Sequence, residues 1–189
     1  MLIVGLGNPG AEHKLNRHNI GYMVIDKLAE DLGLSFSRMR FDALVVKDAF
    51  AGEPIVLAKP RTYMNLSGRA VAALARFYKL TPERILVAYD DVDLDFESVR
   101  LRPEGGSAGQ KGMKSIITSL GTQAFPRLRM GIGRPPGRMG TPAYVLQDFS
   151  KEEREILPFV LDHGSRAIQS FVRDGIDQAM NQFNRRKDE

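Results

Sequence analysis

Histidine is the one side chain whose ordinary titration falls between pH 5 and 8, and this chain has three: His13, His18 and His163. His18 stands in Asn16-Arg17-His18-Asn19, among polar groups just ahead of an apolar helical pattern. There it can serve as a general base, cap a helix or lie on the surface. Asp90 follows the apolar run Ile85–Tyr89. A carboxylate at a strand end can hold an imidazole N–H, fix its tautomer and raise its basicity. Asn8 follows the run Leu2–Leu6, and Asn65 lies in Tyr63-Met64-Asn65-Leu66-Ser67-Gly68 after Pro54–Lys59. A neutral amide there can hold a peptide group or polarise a carbonyl, although Asn65 can equally cap the helix that follows. His13 offers a second base, a base-stacking group or an exposed side chain. His163 falls in a long helical pattern and is expected at the surface.

Other chemistries are poorly served. With no cysteine in the chain, disulfides, thiol nucleophiles, iron–sulfur clusters and thiolate zinc sites drop out together. H-E-x-x-H does not occur, and Gly105–Gly109, which spells G-x-S-x-G, follows Pro103-Glu104 and not a buried strand, so no nucleophile elbow is read there. Gly5-Leu6-Gly7-Asn8-Pro9-Gly10 fits G-x-G-x-x-G, but the helix should open at that loop, and apolar periodicity begins only near Ile20. A tight turn presenting Asn8 is the better reading. Asp90-Asp91-Val92-Asp93-Leu94-Asp95 fails as a calcium loop, because Phe96 stands at the glycine position and Arg102 at the bidentate glutamate, if Asp91 is taken as the first ligand. A magnesium site is the alternative for that run. No metal and no cofactor is expected, which leaves water activated by His18 as the simplest hydrolytic chemistry. Gly105–Gly112, with Lys111 and Lys114, can hold a phosphate at a helix start; Gly131–Arg138 is a second basic loop.

These residues need a scaffold. Leu2–Leu6, Ile85–Tyr89 and Leu128–Ile132 read as buried strands, and Ser98–Arg102 as a shorter one. Ala43–Phe50 and Pro54–Lys59 read as a hairpin around Ala51-Gly52. Helical spacing runs from Ile20 to Leu32 with Gly33 as its stop, from Ala70 to Tyr78, and from Met113 to Leu120 before Gly121. Ser150-Lys151-Glu152-Glu153 is a capping box opening a helix to about Val172, with Pro158 a point for a kink. A last helix covers Ile176–Phe183. The pattern predicts a single α/β domain over residues 1–189, with a twisted mixed central sheet surrounded by helices. The tail Asn184–Glu189 is expected to fray.

The net charge of +4 is uneven. Residues 81–99 carry one basic and six acidic side chains, whereas residues 100–138 carry eight basic and one acidic. This juxtaposition suggests a polyanion-binding surface beside an acidic site, or simply a solvated surface. No apolar run is long enough to span a membrane, and the N-terminus lacks the features of a signal peptide. A cytoplasmic protein with no membrane partner is expected.

Taken in order, five segments resemble the bacterial-type peptidyl-tRNA hydrolase family. They are Val4–Gly10, Arg17–Gly21, Lys59–Gly68, Asp90–Leu94 and Arg127–Pro135, and the resemblance covers nearly the whole chain. It implies an enzyme that cleaves the ester between a peptide and the 3′ ribose of tRNA, recycling tRNA from stalled translation. His18 then matches the catalytic base and Asp90 its orienting carboxylate. Asn8 contacts the peptide and favours blocked over free aminoacyl-tRNA, and Asn65 positions substrate or water. His13 and Tyr63 fall where the family surrounds the tRNA end. The implied partner is peptidyl-tRNA, through its acceptor stem and 3′ end, with a monomeric protein and no obligatory protein partner. Many relatives carry His-Asn where this chain has Gln110-Lys111, so Lys111 is assigned here to a tRNA phosphate or the ester oxygen. The alternative is a non-catalytic RNA-binding relative of the same fold, as in chloroplast intron-splicing proteins.

Overall fold

The apolar run near the N-terminus forms β1 (Leu2–Gly5), which lies at the middle of the sheet and is buried throughout. The structure, a computed structural model, describes residues 1–184. A helix α1 (Ile20–Asp31) leads from β1 to a short strand β2 (Arg38–Arg40). The hairpin β3 (Ala43–Phe50) and β4 (Glu53–Pro60) follows. Ala51 and Gly52 both take positive φ, 52° and 81°, as a two-residue hairpin turn of matching twist requires. Then come α2 (Ser67–Phe77), β5 (Ile85–Asp91), β6 (Val99–Arg102), α3 (Lys111–Leu120) and β7 (Arg127–Gly131). Three helices close the described chain: α4 (Thr141–Val145), α5 (Lys151–Asp174) and α6 (Ile176–Phe183). No helix among the described residues is long and apolar enough to cross a membrane.

The seven strands lie in the order β2-β3-β4-β1-β5-β7-β6. The four central strands are parallel, and antiparallel strands flank them on both sides. Central strands are covered on both faces, so they read as continuous apolar runs. Alternate residues of one strand serve opposite layers: Ile3, Leu86 and Ala88 pack with α1, α5 and α6, whereas Leu2, Val4, Val87 and Tyr89 pack with α2 and α3. The chain leaves β1 toward β4 on one side and toward β5 on the other. Ligands in such sheets bind outside the carboxyl ends of the strands at that reversal. Asn8, Tyr63 and Asn65, and Asp90 follow or end β1, β4 and β5 respectively.

The glycines of the first loop serve packing. A Cβ on Gly5 would lie 2.2 Å from the Gly21 carbonyl oxygen, so α1 sits directly on β1. Three expectations are corrected. Asn184 is not frayed: its side chain donates to the Leu101 carbonyl and accepts from its N–H, at 2.9 and 2.8 Å. The rest of the expected tail, residues 185–189, lies outside the described residues. His163 is half-buried, its ring 5.2 Å from that of Phe183. The basic block is not one open surface: Arg127 is buried, Arg129 pairs with Asp91 at 2.7 Å, and Arg134 pairs with Asp93 at 3.0 Å. Two elements escaped sequence reading. β2 is three exposed residues with no apolar alternation, and α4 is barely longer than one turn.

Replacing Gly21 by alanine tests the close approach. Its Cβ would stand 2.4 Å from the Ala88 carbonyl oxygen and 2.6 Å from that of Leu6. Overpacking against backbone should lower unfolding stability by about 1–3 kcal/mol, read from urea midpoints at constant m-value.

Candidate active site

The carboxyl edge of the sheet encloses a cavity of about 570 Å³, lined among others by Asn8, His18, Tyr63, Asn65, Asp90 and Lys111. Six of the seven residues singled out for chemistry or binding therefore meet in one place. His13 does not line it. Its Nδ1 lies 3.0 Å from the Asn16 Oδ1, and the Asn16 amide in turn donates to Asp148 at 2.8 Å. This links the loop after β1 to the segment before α5.

His18 sits on a 3-10 turn, Arg17–Asn19, directly ahead of α1. Its Nδ1 is 2.8 Å from the Asp90 Oδ2, and the two side chains are only 12% and 3% exposed. A carboxylate only accepts, so the shared hydrogen belongs to Nδ1, and Nε2 is left as an acceptor. The neighbours of His18 are both committed. The Arg17 guanidinium bonds Glu153 at 2.5 Å and the Asp148 carbonyl, and lies over the ring of Tyr144 at 4.5 Å. Asn19 brackets the backbone of Asn8: its Oδ1 accepts from the Asn8 N–H and its Nδ2 donates to the Asn8 carbonyl, both at 2.9 Å. The Asn8 N–H is thus unavailable to a phosphate, and α1 opens only at Ile20, ten residues past the glycine loop, where a dinucleotide site needs it at the loop itself.

Asn8 turns its own amide sideways. Its Oδ1 accepts from the Met64 N–H at 2.9 Å, so Nδ2 remains to donate to a ligand. That bond also pins the turn carrying Tyr63 and Asn65. The carboxyl end of β4, which leads into this turn, is fixed by Tyr22, whose hydroxyl donates to the Pro60 carbonyl and whose acidity burial suppresses. Tyr63 is 69% exposed at the cavity lip. Asn65 is exposed and does not cap α2, whose first residue has no side-chain cap. Burial beside Asp91 pushes the Tyr89 phenol up to about 12, so the cavity floor stays neutral there.

The acidic run does not converge. Asp90 faces His18, Asp91 faces Arg129 and the Asp93 N–H, and Asp93 faces Arg134. Among the described residues no three His, Asp or Glu side chains gather as metal ligands.

Gln110 escaped the sequence reading as a site residue. Its Nε2 donates to the second oxygen of Asp90 at 3.0 Å, and its Oε1 accepts from the Met113 N–H at 2.7 Å, capping α3. A glutamine three residues ahead of a helical pattern was the available signal. Arg17 left none, because its partner Glu153 lies 136 residues away, and Asn19 bonds Asn8 across the loop, 11 residues back. Lys111 is exposed at the first position of α3 and faces the cavity.

Residues 2–189 match the family model described as peptidyl-tRNA hydrolase. This chain belongs to that family. It is 46% identical over 184 residues to the peptidyl-tRNA hydrolase of Elusimicrobium minutum, covering 97% of this chain and 98% of that protein. Against the Chloroflexus aggregans peptidyl-tRNA hydrolase the identity is 48%, with the same coverage. The crystal structure of the Acinetobacter baumannii peptidyl-tRNA hydrolase superposes with a TM-score of 0.91 at 35% identity, covering 97% of this chain and 93% of that one.

Asn19→Ala should leave both backbone groups of Asn8 without partners. The expected cost is about 1–3 kcal/mol of unfolding free energy, together with weakened activity because Asn8 loses its fixed direction. Denaturant titration and turnover assays on the same preparation check both.

Proposed function

We propose that this protein hydrolyses the ester joining a peptide to the 3′ ribose of tRNA, with His18 activating the attacking water. The observation that carries the reading is the part-buried 2.8 Å bond from His18 Nδ1 to Asp90, on the wall of a cavity shared with Asn8 and Asn65. Family membership supplies the substrate class.

Water gives a proton to His18 Nε2 as its oxygen bonds to the ester carbonyl carbon. The carbonyl oxygen becomes an oxyanion, and the Asn65 amide can donate to it. Asp90 stabilises the imidazolium without taking its proton. The intermediate then breaks its bond to the ribose 3′ oxygen, which receives the proton from His18. Free tRNA and a peptide acid leave.

Discrimination against free aminoacyl-tRNA follows from the committed acceptor of Asn8. Its Oδ1 is held by the Met64 N–H, so it offers only a donor to what binds there. A peptide carbonyl matches that donor; an ammonium, which only donates, does not. Lys111 and Lys114, exposed one turn apart on α3, suit acceptor-stem phosphates. Tyr63 can stack on the terminal base, and His13 can contribute beyond the cavity. A module that only bound RNA would use the phosphate contacts but not a cavity-lining imidazole whose Nδ1 is held by a carboxylate.

His18→Ala should lower turnover of N-acetylated aminoacyl-tRNA at least ~100-fold while leaving RNA binding intact; wild-type turnover in this variant overturns the reading. Asn8→Asp replaces the donor by an acceptor and should narrow the ratio of blocked to free substrate hydrolysis, measured with both substrates side by side. Lys111→Ala should weaken binding and flatten its logarithmic salt dependence by about one unit, read from binding titrations between low and moderate salt.

A further inference from the structure

We propose that Gln110 is a positioning residue for the His18–Asp90 pair. Asp90 uses one oxygen on His18, at 2.8 Å, and the other on the Gln110 Nε2, at 3.0 Å. Two donors on opposite oxygens leave a carboxylate no freedom to rotate about its last bond. A neutral amide achieves this without cancelling the charge that stabilises the imidazolium.

The direction of the Gln110 amide is dictated by its neighbours. The Met113 N–H requires an acceptor and the Asp90 carboxylate requires a donor, so a flipped amide would fail both. The Nε2 also approaches the Met64 sulfur at 3.3 Å, beside the turn that Asn8 pins. Every polar atom of the side chain is therefore engaged inside the protein, and the residue is buried. Nothing is left to bind substrate. Gln110 acts on the reaction through Asp90, and its loss should appear in kcat rather than in KM.

The inference rests on the reading of His18 as base. It also has a structural rival, because Gln110 caps α3. Two variants separate the roles. Gln110→Ser keeps a good N-cap acceptor but is too short to reach Asp90. Gln110→Met keeps the length and loses both bonds. With N-acetylated aminoacyl-tRNA as substrate, both should lose about tenfold in kcat, the worth of one hydrogen bond in a transition state. KM should stay within about twofold, and both should lower the thermal midpoint, Gln110→Met further because it loses the cap of α3 as well. A wild-type kcat in Gln110→Ser, or a loss confined to KM in either variant, overturns the proposal. His18→Ala, assayed in parallel, keeps the failures apart. If it stays active, the assignment of the base falls. If it is inactive while the Gln110 variants turn over at the wild-type rate, only the role of Gln110 falls.

Discussion

An imidazole can accept a proton from water at one nitrogen only if the other nitrogen keeps its own. The bond from His18 Nδ1 to Asp90 imposes that condition, and it joins residues 72 positions apart in the chain. Much of the fold serves to make this meeting unavoidable. Asp90 is the next-to-last residue of a strand buried along its whole length, so its place is set by the sheet. His18 sits between two residues that are each fastened elsewhere, Arg17 to the start of α5 and Asn19 to the loop after β1. A side chain between two such anchors has little choice of direction. Burial then strengthens the pair, because fixed dipoles replace mobile water.

The same economy governs the charges. The acidic segment of β5 and the basic segment of β7 lie on adjacent parallel strands, and Arg129 and Arg134 answer Asp91 and Asp93. Part of the imbalance visible along the chain is thus settled locally, Asp91 with Arg129 beside the sheet and Asp93 with Arg134 at the surface. What remains for a polyanion is a smaller set of exposed cations, Lys111 and Lys114 among them.

Legibility followed the range of the interactions. Buried strands, the hairpin turn and the helix stops are local, and their residues declared them: Ala51-Gly52, Gly33 and Gly121 all take left-handed backbone where the pattern placed turns. His18, Asp90 and Asn8 stood out because polar groups close to the ends of apolar runs are few. The supports of those groups were hidden. Arg17 looked like an ordinary charge, and nothing nearby in sequence announced Glu153 or the rings of Tyr144 and Phe149. Gln110 was noticed only as a departure from the usual His-Asn pair, since its link to Asp90 depends on how α3 docks. The charge blocks misled for the opposite reason, because a count along the chain ignores which strands lie side by side.

The loop over the cavity is held at both of its roots. The buried Arg127 donates to the carbonyls of Gly105 and Gly106, and Gln110 is tied to α3 and to Asp90. Only Ser107, Ala108 and Gly109 lie between, and the last two already use left-handed backbone. Three residues span at most about 10 Å. Such a short tether can bend over a bound chain end but cannot swing clear of it. How far this edge can reach over the cavity is thus a matter of loop length more than of loop composition, while the turn at Tyr63 and α4, through Pro142, Val145 and Leu146, bound the same space.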